Sequence, residues 1–114
     1  MASRTYELFL RAMREKKQVA CVYQGHPREV CPAILGRTGL EEKALVFQFG
    51  GSTSSGPIPP QGDWKCLRLS EVRNPVLQDG PWHAGAEHSA AQSCMKMVEY
   101  DVNPKSPYDP AFKL

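Results

Sequence analysis

Arg28, Lys65 and Arg68 stand in strand-like segments that also carry Tyr23 and Trp64. Cations interleaved with aromatic rings suit single-stranded nucleic acid, because phosphates take up the charge and bases stack on the rings. An arginine also holds a carboxylate or phosphate through two parallel hydrogen bonds. The chemistry open to this set is capture of an anionic group, on a small ligand or on a nucleic-acid strand. The plainer reading is a solvated strand face with Tyr23 and Trp64 half in the core, which alternating strands commonly produce.

His83, His88 and Cys94, with His26 or Glu87 as a further candidate ligand, invite a metal reading. Their spacing, H-x4-H-x5-C, matches no strong zinc pattern, so surface histidines and a buried cysteine are the simpler expectation. A Cys–His nucleophile in the same segment would need closeness in space and a depressed thiol pKa. The stretch from Trp82 to Ser89 is aromatic and polar without a regular period. Loops on rigid scaffolds often hold function, which adds Trp82 and His83 to the ligand-binding candidates. Such a stretch equally often closes a small barrel. Gly50-Gly51-Ser52-Thr53 lacks the lysine and following helix of a phosphate loop, and no G-x-S-x-G elbow occurs. No catalytic residue is assigned and no cofactor is implied.

These residues need elements to position them. Tyr6, Phe9, Leu10 and Met13 recur at helical spacing behind Ser3, a natural N-cap, and predict a helix over 4–16. Val19 to Tyr23, Arg28 to Leu35, Lys43 to Phe49 and Trp64 to Leu69 read as strands, and Val76-Leu77 begins a fifth. In the second, alternation puts Arg28, Val30, Pro32 and Ile34 on one side and Glu29, Cys31, Ala33 and Leu35 on the other. Pro32 cannot donate to a ladder, so that strand lies at an edge, bends or bulges there. In the third, Leu45, Phe47 and Phe49 oppose Ala44, Val46 and Gln48. Residues 50–62, rich in Gly, Ser and Pro, predict a long mobile loop, and Val98, Tyr100 and Val102 suggest a late strand. Residues 103–114 form a Pro-spaced tail.

The chain of 114 residues fits one domain with enough length for a core. A net charge of +2 is too small to imply nucleic acid by itself. No signal peptide or membrane-length apolar run is present, so a soluble, cytoplasmic protein is expected. Cys21, Cys31, Cys66 and Cys94 form no C-x-x-C pair, and small thiols in a reducing compartment are expected ahead of disulfides.

The order of elements resembles the WYL domain, an Sm-like, SH3-type small β-barrel of about five bent strands led by a helix. The matching segments are Lys17–Tyr23, Arg28–Leu35, Ala44–Phe47 and Trp64–Val72, so the likeness covers about residues 5–78. The Trp-Tyr-Leu triplet is replaced by Leu45-Val46-Phe47, and a single helix stands where that family usually carries a helix-turn-helix. The resemblance implies a mainly β fold with one N-terminal helix, followed by an extension over 79–114. It also implies a non-catalytic sensing module whose basic pocket takes an anionic ligand or a nucleic-acid strand. The other functions open are a structural or protein-interaction domain, using an edge strand or the tail, and a small metal- or thiol-dependent enzyme.

Overall fold

The computed structural model describes residues 3–53, 56–58, 60, 62–82 and 94–102, with the backbone of 112–113. The fold is mainly β with one N-terminal helix, as expected. Helix α1 spans Arg4–Glu15, and the Ser3 hydroxyl accepts the Tyr6 N–H at 3.1 Å. Lys16, left-handed at φ 53°, ends it by donating its N–H to the Ala12 carbonyl. Tyr6, Phe9, Leu10, Ala12 and Met13 form the buried face.

Strands β1 (Gln18–Tyr23), β2 (His26–Thr38), β3 (Glu41–Thr53), β4 (Gly56–Pro57), β5 (Asp63–Arg68) and β6 (Val72–Gln78) follow. The main sheet runs β6-β1-β2-β3-β5, antiparallel throughout. A 3-10 turn at Leu69–Glu71 leads from β5 to β6, and among the described residues no ladder joins those two strands. Tyr23 bridges the seam, its hydroxyl accepting the Arg68 N–H at 3.1 Å. The sheet thus bends around a core shared with α1, containing Phe9, Met13, Val19, Val30, Val46 and Leu67.

The ladder of β2 shifts register between Glu29 and Val30 and again between Pro32 and Ile34. The second shift corrects the expected faces. Val30 and Leu35 both enter the α1 core, whereas Ala33 and Ile34 join a second cluster with Leu45, Cys94 and Met95. One unpaired residue flips every side chain beyond it. In β3 the alternation holds, with Ala44 and Val46 facing inward and Leu45 outward.

The expected loop over 50–62 is also revised. β3 continues to Thr53, and Ser52 and Thr53 pair with Pro57 and Gly56 of β4. A ladder needs backbone groups and no apolar side chains, and the Thr53 hydroxyl adds a bond to the Gly56 carbonyl at 3.0 Å.

Strand β7 (Met97–Asp101) takes up the edge of β2 where β1 leaves it, pairing Ile34 with Asp101 and Arg37 with Met97. β8 (Phe112–Lys113) pairs in parallel with β7. Gly36 permits this approach, because a Cβ there would overlap the Met97 carbonyl oxygen and the Met95 sulfur. The cysteine expectation is corrected in half. Cys66 and Cys94 form a disulfide, with Cα atoms 5.4 Å apart, while Cys21 and Cys31 are buried and take no part in it. Only the fold brings together two cysteines 28 residues apart, so spacing alone carried no sign of the pair.

The outer edges of β5 and β6 are poorly suited to adding a strand from another chain. β6 carries Pro75 beside Asn74 at φ 50°. On β5 the Trp64 N–H bonds the Asp63 carboxylate at 2.9 Å and the Arg68 N–H is held by Tyr23. Proline, twist and side-chain capping all blunt an edge. The Pro-spaced tail over 103–110 lies outside the described residues.

Candidate functional site

Arg28 on β2 stands opposite Cys21 on β1, and opposed residues share a face, so both lie on the face of the sheet that packs on the α1 core. Only 4% of Arg28 is exposed. Its guanidinium lies 4.9 Å from the centre of the Tyr23 ring, a cation–π contact. Its Nη1 donates a long hydrogen bond, 3.4 Å, to Oε1 of the fully buried Gln48. The Gln48 amide nitrogen is itself engaged by the carbonyls of Gly50 and Ser52, at 3.0 and 3.2 Å. Among the described residues the Arg28 Nε, like that of Arg37, has no hydrogen-bond partner, and no carboxylate pairs with the Arg28 guanidinium. Burial lowers its pKa, with Tyr23 and Cys21 acting the other way. A guanidinium stays charged at neutral pH regardless. A buried cation without a counter-ion is costly, and buried polar groups are normally satisfied.

The other sequence candidates divide. Lys65 opposes Val46 and so shares the inner face, but its Nζ lies 3.3 Å from the Asp63 carboxylate. Trp64 points the other way, edge-on to Phe47 at 5.3 Å, and packs against the second cluster. The Arg68 side chain is also turned outward, 3.7 Å from Glu41 and 3.8 Å from Glu71. Trp82 sits by the end of α1, with Lys16 Nζ 5.6 Å from its ring. His83 lies outside the described residues. The structure therefore joins Tyr23 and Arg28, sets Lys65 on their side of the sheet, and separates Trp64, Arg68 and Trp82 from them.

The metal and thiol candidates fare differently. Cys94 is bound to Cys66, and His83, Glu87 and His88 lie outside the described residues. His26 Nδ1 is 3.2 Å from the Ser52 hydroxyl. Among the described residues no three His, Cys, Asp or Glu side chains are grouped to hold a metal. Burial pushes the Cys21 thiol up to about 11, with Arg28 opposing, so it is a poor nucleophile.

Two groups escaped sequence reasoning. Gln48 is one, and its signal was present, because it shares the inward parity of Ala44 and Val46 in an otherwise apolar row. The other is Tyr6, Arg37 and Glu99. The Tyr6 hydroxyl donates to Glu99 Oε1 at 2.6 Å, and Arg37 Nε lies 3.2 Å from Oε2. Burial, followed by the hydrogen bond and charge of Glu99, raises the Tyr6 pKa well above the usual range. This cluster fastens β7 to α1 and β2, and nothing in the separations of 62 and 93 residues announces it.

No protein-family model matches this chain, and no curated protein or solved structure matches it. Among the described residues no helix is long and apolar enough to cross a membrane.

Proposed function

We propose that this chain is a non-catalytic binding module of WYL type that takes an anionic group against Arg28. The observation that carries this reading is a buried arginine, 4% exposed, which among the described residues has an unpartnered Nε and no carboxylate. A carboxylate or phosphate oxygen placed there would supply the missing acceptor and counter-charge. The strand order β6-β1-β2-β3-β5 behind a helix supports the family likeness. Tyr23 contributes its ring to the guanidinium and holds the seam beside it.

Thermal unfolding at low salt, with inorganic phosphate or a short oligodeoxythymidylate, tests this reading. Both should raise the midpoint of the wild type and neither that of Arg28→Met. A response to the oligonucleotide alone assigns the anion to a nucleic-acid strand, and a response to phosphate assigns it to a small ligand. Equal responses in wild type and variant would remove Arg28 from the function.

A further inference from the structure

We propose that the Cys66–Cys94 bond is a reversible redox latch, opened by a dithiol, that holds the Cys94–Met95 corner on the outer face of β2, β3 and β5. The bond links elements that share no ladder among the described residues: β5 pairs with β3, and β7, which follows the corner, pairs with β2 and β8. Beneath the corner lie Ala33, Ile34, Leu45 and Trp64. These are apolar groups that water reaches when the corner lifts. Cys66 is exposed and Cys94 is 7% exposed, so a thiolate from solvent meets Cys66 first. Access of this kind decides which disulfide sulfur is attacked.

A reductant thiolate forms a bond to Cys66 Sγ, the Cys66–Cys94 bond breaks, and Cys94 leaves as a thiolate that takes up a proton. The second thiol of the reductant, as thiolate, then attacks its own sulfur in the mixed disulfide and releases Cys66, which is protonated in turn. The protein gains two electrons and two protons, and the dithiol becomes a cyclic disulfide.

Two features make the step local and reversible. Cys94 Sγ lies 3.6 Å from the Ala44 carbonyl oxygen, and Cys66 Sγ lies 3.6 Å from that of Cys94. Each released thiol thus has an acceptor in place, a weak contact that replaces a covalent one and lets the corner reseat. The rest of the extension keeps its own anchors, the β2–β7 ladder and the Tyr6–Glu99 bond. Cys21 and Cys31, buried elsewhere, are removed from exchange.

The full chain with Trp82→Phe, which leaves Trp64 as the reporter, tests the latch through acrylamide quenching and emission in oxidised and reduced dithiothreitol. Thiol counting by alkylation and mass fixes the redox state. Expected are two unreactive thiols in the oxidised protein, then a red shift and stronger quenching of Trp64 on reduction, reversed on reoxidation. Cys66→Ser should show the reduced signature in both conditions. Four thiols in air-purified protein would overturn the latch. Identical Trp64 signals in two verified redox states would also overturn it, as would global unfolding on reduction of the unsubstituted chain.

Discussion

Two arginines of β2 meet opposite fates. Arg37 has Glu99 at 3.2 Å, and the same carboxylate accepts the Tyr6 hydroxyl. Arg28, nine residues earlier on the strand and far less exposed, has a ring face and one long bond to Gln48; neither Nε makes a hydrogen bond among the described residues, but only that of Arg37 has a carboxylate beside it. The first is a finished structural contact between the extension, the helix and the sheet. The second is buried with no carboxylate beside it among the described residues. Arg37 binds within the fold, and the anion proposed for Arg28 would give it what Glu99 gives Arg37.

The largest effect should come from undoing the finished contact. Glu99→Ala strands both Arg37 and the Tyr6 hydroxyl, and should cost about 2 kcal/mol. Urea unfolding would show this as a lower midpoint at unchanged slope. Arg28→Met should go the other way. Replacing a buried charge that lacks a counter-ion by an apolar side chain should leave stability unchanged or raise it by about 1 kcal/mol in anion-free buffer. A loss as large as that of Glu99→Ala would erase the contrast between the two arginines.

Alkaline pH probes the same contrast through neighbouring groups. Tyr6 ionises in the unfolded chain near its ordinary value of 10.0, but in the fold it keeps its proton to higher pH. The folded state then holds more protons than the unfolded one, so stability falls as pH rises past 10.0. Cys21, beside Arg28, acts with the same sign between its ordinary 9.0 and about 11. Tyr6→Phe should flatten the upper part of this decline and leave the Cys21 part, as read by denaturant titrations at stepped pH.

The smallest change in stability, and the sharpest in binding, belongs to Gln48→Glu. It places a carboxylate where an amide oxygen lies 3.4 Å from Arg28, while removing two donor bonds to Gly50 and Ser52. Those terms oppose each other. The anion response should vanish all the same, because Arg28 then has the kind of partner Arg37 has.

Much of this fold was legible in the chain. The spacing of Tyr6, Phe9, Leu10 and Met13 marked the helix and its buried face. The five strands followed from apolar runs and turn residues, and Pro32 marked an edge, a bend or a bulge, of which the ladder shows a register shift. What lay beyond the bulge was not legible, since parity reverses there and sequence does not count the slip. The site was half legible. Tyr23 and Arg28 emerged together because β1 and β2 form a tight hairpin, where local pairing sets neighbours. Trp64 and Lys65 alternate across β5, so adjacency in sequence placed them on opposite faces. The disulfide and the Glu99 cluster depend on how the extension returns to β2, a long-range choice carried by no local motif.

The most direct measurement is the NMR signal of the Arg28 Nε–H during titration with inorganic phosphate at low salt, with the Arg37 Nε–H as internal control. The expected result is a saturable downfield shift and slowed solvent exchange at Arg28, with Arg37 unmoved. An Arg28 signal that stays in place through the titration, or moves no more than that of Arg37, would contradict an anion site at Arg28.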